Sequence, residues 1–148
     1  MQEPSSASPV ARLGLPRHPP SRRAIAVVGF VAVLACLALA WISSALTWLG
    51  MCDGDGGFPF SAPASPAGRL CTSAWGAAYV DAQLVVPVVV MLTFGATAVV
   101  RTSWPRVAVG VVVSVATIVL FAGVLARLPS QCTAAEARTL DHWDCATY

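Results

Sequence analysis

The stretch AIAVVGFVAVLACLALAWISSALTWLG, residues 24–50, contains no charged side chain and no proline. Coiled as a helix it reaches roughly 40 Å at about 1.5 Å per residue, against a hydrocarbon core of about 30 Å. A run of that length crosses a bilayer with some tilt, or with a turn projecting beyond the lipid. It is too long and too evenly apolar to be a core strand. The paired Arg22 and Arg23 before it resemble the front of an export signal. However, the apolar run exceeds the 7–15 residues of a signal-peptide core, and no small-x-small site closes it. It reads as a retained anchor.

Two further runs follow the same logic. Residues 77–100, AAYVDAQLVVPVVVMLTFGATAVV, carry Asp81 and Gln83 near the start and no charge after that. Residues 107–127 match the core thickness. Ser103 is the expected N-cap with Pro105 in the first turn, and Arg127 and Pro129 close the run. The expected fold is an all-α membrane protein with three transmembrane helices, N-terminus in and C-terminus out, and a small disulfide-tied exterior cap.

Composition supports lipid as the solvent. Hydrophobic residues make up 57% of the 148-residue chain and charged ones only 11%, where a globular protein has about a quarter charged. So few charges could not cover the surface of a water-soluble domain this size. All nine basic residues are arginine, and they are spread along the chain without forming a basic stripe. No nucleic-acid partner is expected. The partners implied are the lipid bilayer and either a membrane-protein partner or a second copy of the chain.

The connecting segments divide accordingly. Residues 1–23 hold five prolines and four arginines and read as a disordered cytoplasmic tail. Pro16 to Pro19 has P-x-x-P form, but a flexible tail is the simpler account. Residues 51–76 form an exterior loop, 101–106 a tight cytoplasmic turn, and 128–148 an exterior tail with a short helix.

Two unrelated patterns orient the chain. Arg12, Arg17, Arg22 and Arg23 precede the first span, and Arg101 and Arg106 lie in the turn between the second and third. Arginines favour the cytoplasmic side of short loops, which leaves Arg69, Arg127 and Arg138 outside. Trp48 and Trp75 then fall near one interface and Trp104 near the other, as an aromatic belt requires. Independently, Cys52 and Cys71 lie in the first exterior segment and Cys132 and Cys145 in the second. Four cysteines on an oxidising side indicate two disulfides. Together these features place the chain in the plasma membrane.

Four cysteines allow three pairings. Thr133 to Glu136 reads as a capping box, which predicts a helix from residue 134 to about 142. Such a helix would hold Cys132 and Cys145 roughly 15 Å apart, whereas a disulfide needs Cα atoms within about 7 Å. Bridges from loop to tail are therefore the expectation.

Few residues carry the pattern of a reactive site. Asp53-Gly54-Asp55-Gly56-Gly57 begins like a calcium loop, but Gly57, Phe58 and Ala64 stand where a ligand, a glycine and a glutamate are required. It reads as a turn. Asp141-His142-Trp143-Asp144-Cys145 gathers donors without the spacing of a zinc site. No metal or cofactor is expected. In the second span Pro87 removes a backbone hydrogen bond and predicts a kink. With Asp81 and Gln83 it marks either an outward-facing polar pocket or a packing kink with Asp81 at the headgroups; the second is the simpler reading. Ala32, Cys36, Ala40 and Ser44 recur every four residues on the first span, as do Gly110 and Ser114 on the third and Thr93 and Thr97 on the second. Small side chains at that spacing let helices approach closely in lipid, within one chain or between two.

The function these features suggest is a non-enzymatic accessory or interaction protein of the membrane. A thiol–disulfide redox protein is the first alternative, against which stands the lack of a C-x-x-C motif. An oligomeric small-molecule carrier built around Pro87 is the second.

Overall fold

The computed structural model describes residues 21–52 and 61–145. Among these the secondary structure is helical: α1 (Arg22–Cys52), α2 (Pro66–Thr72), α3 (Ala74–Arg101), α4 (Trp104–Leu125), α5 (Glu136–Thr139) and a 3-10 turn over His142–Asp144. Three of these, α1, α3 and α4, are long and apolar enough to cross a membrane. At the start of α1, Ser21 accepts a hydrogen bond from the Ala24 amide at 3.1 Å, satisfying a donor that the first turn leaves free.

The three long helices pack pairwise as an up-down-up bundle, and their buried residues follow helical spacing. On α1 these are Ile25, Gly29, Cys36, Ala40 and Ser44. On α3 they are Gly76, Gln83, Pro87, Met91 and Ala98, and on α4 Val107, Gly110, Ser114, Ile118 and Leu125. Small residues dominate the seam because lipid supplies no hydrophobic force between apolar helices, so close van der Waals contact must hold them. Gly110 shows how close: a Cβ there would lie 2.7 Å from the Phe94 Cβ and 3.3 Å from the Met91 sulfur. Cys36, Ala40 and Ser44 of the α1 stripe are thus used inside the bundle, with Ala32 partly buried against its core.

Large apolar side chains point the other way. Phe30, Trp41, Leu46 and Leu120 are each more than 60% exposed. That inverts the pattern of a water-soluble bundle, and lipid is the solvent in which such a surface is not penalised.

Thr102 joins α3 to α4 in the left-handed region, φ 48°, and Pro105 stands in the first turn of α4. Ser103 occupies the N-cap position, but its side chain makes no capping bond. α3 continues without interruption through Pro87, whose ring is fully buried.

At the opposite end of the bundle the connecting segments form a cap. Its first element, α2, was not expected from the sequence. Ser65 caps it by accepting from the Gly68 amide at 3.0 Å, and Pro66 starts the helix at a position where a missing N–H costs nothing. The loop and tail are joined by backbone hydrogen bonds: Ala62 N to Ser130 O (2.8 Å), Ala67 N to Pro129 O (3.2 Å) and Ala64 N to Asp144 O (2.9 Å).

The disulfides correct the pairing expected from the sequence. They link Cys52 to Cys71 and Cys132 to Cys145, so each closes its own segment and neither bridges loop to tail. The capping box does form, with Glu136 accepting from the Thr133 amide at 2.9 Å and returning its own amide to Thr133 Oγ1 at 3.3 Å. The helix it starts, however, ends at Thr139. Leu140 and Asp141 are extended, with ψ near 157° and 151°. The chain doubles back there and returns Cys145 to a Cα separation of 5.5 Å from Cys132.

Candidate functional site

The polar group of the second span divides in two. Asp81 and Gln83 are two residues apart, about 200° around a helix, and so leave α3 on opposite faces. Gln83 is fully buried and lies above Pro87, which is one turn further along the same face. Asp81 is exposed on the outside of the bundle. The three residues do not converge on one pocket.

Gln83 joins α3 to α1 by donating from Nε2 to Ser43 Oγ at 3.2 Å. Its Oε1 is buried without a hydrogen-bond partner among the described residues. Next to it lies a cavity of about 10 Å³, bounded by Thr47, Trp48, Tyr79 and Leu125 beneath Leu70 of the cap. Ser114 plays a similar joining role lower down. Its hydroxyl lies 2.8 Å from the Gly110 carbonyl and 3.1 Å from that of Pro87, so its proton is shared between α4 and α3. Tyr79 makes a third link, donating to the Phe121 carbonyl at 2.7 Å with the two rings edge to face at 5.1 Å. Neither Ser43 nor Tyr79 stood out in the sequence. Hydroxyls inside an apolar run were the available signal, since a buried hydroxyl needs a partner.

The larger openings lie on the outer side of the α1–α3 seam. One recess of about 390 Å³, toward the cap, is walled by Trp41, Trp48, Ala77, Val80 and Asp81. The other, of about 470 Å³ toward the far end, is walled by Phe30, Val33, Leu92, Gly95 and Ala96. Thr93 and Thr97 spend their hydroxyls on their own helix, donating to the Val89 and Phe94 carbonyls.

In the cap, Glu136 is the best-anchored carboxylate. Hydrogen bonds from the Thr133 amide and hydroxyl, followed by the charge of Arg69, hold its pKa below the usual carboxylate range. The Arg69 guanidinium lies 3.1 Å away and ties the loop to the tail. Both side chains reach solvent, at 61% and 26% exposure, so this ion pair fixes register more than it stabilises. Of the donors at 141–145, Cys145 is committed to its disulfide. No three His, Cys, Asp or Glu side chains gather among the described residues. The Asp53–Gly57 stretch, expected to form a turn, and the Pro16–Pro19 motif lie outside the described residues.

No protein-family model, curated protein or solved structure matches this chain.

Proposed function

We propose that this chain is a non-enzymatic accessory subunit of the plasma membrane, crossing it three times and meeting its partner through the cap. The observation that carries this reading is the construction of the cap. A loop and a tail of a small protein are each closed by a local disulfide and joined to one another by backbone bonds and an ion pair. Ordering that much polar chain costs conformational entropy, and a connector that merely linked spans would not need it.

The proposed orientation has the N-terminus in the cytoplasm and the cap outside. Two facts support it. Arg22, Arg23, Arg101 and Arg106 flank the bundle at the end away from the cap, against Arg69, Arg127 and Arg138 at the cap end. Both disulfides also lie at the cap end, and disulfides persist in oxidising compartments.

Two measurements test the proposal. Alkaline phosphatase fused after residue 148 should be active, and a fluorescent protein fused before residue 1 should fluoresce. The reverse result refutes the orientation. For the role, the oxidised full chain cross-linked in its native membrane should yield a stoichiometric partner that a Cys132→Ser/Cys145→Ser variant loses while its spans stay folded. Recovery of the chain alone, or of the same partner with the variant, refutes contact through the cap.

A further inference from the structure

The two recesses on the α1–α3 seam lie on one face. Residues eleven apart on a helix differ by only about 20° around its axis. Phe30 and Trp41 are so related on α1, as are Leu92 and Asp81 on α3. The two recesses therefore stand one above the other along the seam, the upper aromatic and acidic and the lower apolar.

Asp81 is the feature that selects an occupant. It is the one charged residue inside the apolar stretches 24–50, 77–100 and 107–126. It faces outward, and no described residue gives it a hydrogen bond or an ion pair. It lies seven residues, about 10 Å, inside the start of α3, and about half a turn past Tyr79, which shares a cavity wall with Leu125 at the end of α4. A bare carboxylate at the edge of hydrocarbon calls for a cation or for water.

The walls decide which cation. Calcium or magnesium would need six or more oxygen ligands and zinc about four donors rich in nitrogen or sulfur, whereas the recess offers the Asp81 carboxylate and the buried Ser44 hydroxyl. Trp41 and Trp48 instead present indoles, the aromatic groups that attract an ammonium most strongly. Below them, from Asp81 to Leu92, the seam runs about 16 Å. That is close to half the hydrocarbon core of about 30 Å, the depth filled by the chain of one leaflet's lipid. Phe30, Val33, Leu92 and Ala96 supply the apolar lower walls.

We propose that the α1–α3 seam binds one ammonium-headed membrane lipid, its head paired with Asp81 between Trp41 and Trp48 and its chain laid down the seam toward Phe30 and Leu92. The site depends on the bilayer but not on which way the cap faces, so it stands apart from the accessory role proposed above.

The test uses the full chain in neutral maltoside micelles, with hexadecylamine as probe and hexadecanol as its uncharged counterpart, and native mass spectrometry counting bound molecules. The wild type should retain one hexadecylamine at a mole fraction at least tenfold lower than it needs for hexadecanol. Asp81→Asn, on an exposed position, should unfold at the wild-type temperature and bring the two probes within twofold of each other. Trp41→Leu should weaken the amine more than the alcohol. Equal retention of both probes by the wild type overturns the proposal, as does undiminished amine binding by Asp81→Asn. If the amine gains nothing while a polyleucine helix bearing one lysine associates with the wild type and not with Asp81→Asn, the seam belongs to a partner helix and the lipid site is wrong.

Discussion

Replacing Gly68 with alanine should loosen the cap without touching a disulfide. A Cβ at Gly68 would overlap the Ala62 carbonyl oxygen and lie 2.8 Å from its carbon and 2.9 Å from the Pro63 Cα. All three are backbone atoms, so no side chain can swing aside. Restoring an ordinary contact of 3.4 Å to that carbon requires a shift of about 0.6 Å, and the closer oxygen must move further still. Residue 62 is poorly placed to give way. Its carbonyl accepts from both the amide and the hydroxyl of Ser65, at 2.9 and 2.6 Å, and its amide holds Ser130 at 2.8 Å. Losing two of those three bonds costs about 2 kcal/mol, and the overlap itself adds about 1–3. The better helix propensity of alanine offsets about 1. The net loss is about 2–4 kcal/mol, or roughly 30- to 700-fold in local opening. Hydrogen exchange read by mass spectrometry in mild detergent should report it at the amides of residues 62, 67 and 68. Gly50→Ala, with nothing within 4 Å of its Cβ, is the control. Protection within threefold of wild type at residue 62, or an equal loss in the control, would refute this account of how loop and tail are joined.

Four further outcomes are expected. Gly110→Ala should lower bundle stability by about 1–3 kcal/mol by pressing on Phe94 and Met91, while Gly29→Ala, whose Cβ meets nothing within 4 Å, should hold stability or raise it by up to about 1 kcal/mol in the same thermal melts. Gln83→Met gives up a bond to Ser43 worth about 1 kcal/mol and removes a buried acceptor that costs about 1–3; stability should hold or rise, and a loss above about 2 kcal/mol would show that Oε1 is satisfied after all. Peptide maps made without reductant should join Cys52 to Cys71 and Cys132 to Cys145, and any loop-to-tail peptide contradicts the fold of the cap. The pKa of Glu136 is lowered on folding, so its contribution is complete above the ordinary value near 4.5 and fades as pH falls through the depressed folded value; protection of the Thr133 amide, relative to its unstructured exchange rate at each pH, should fall in that acid window, and Glu136→Gln should abolish the pH dependence of that protection.

The three long helices were legible because each is a long apolar run of the kind that bilayer thickness demands. Residues 24–50 became Arg22–Cys52 and 77–100 became Ala74–Arg101, differing by two or three residues at each end and by one at Arg101. The small-residue stripe was legible too, through its spacing, although only packing shows that Cys36, Ala40 and Ser44 face inward. The cap was harder to read. Ser65-Pro66 is a helix start, but a seven-residue helix has no apolar period to announce it. The capping box at Thr133 was read correctly, yet it marks where a helix begins and says nothing of where it stops. Placing the end of that helix three residues too late reversed the disulfide pairing. Asp81 and Gln83 could have been separated from sequence alone, because side chains two apart on a helix never face each other.

The bridges are local, spanning 19 and 13 residues, and this has a consequence for biogenesis. Cys71 follows its mate directly after the first apolar run, and Cys145 follows Cys132 after the last. With the cap on the oxidising side, as proposed, a ribosome feeding this chain into a membrane can have the first bond oxidised while the third long helix is still being made. The second needs no cysteine held in reserve from earlier in synthesis. Assembly can keep step with translation, each bridge closing within the segment that has just emerged.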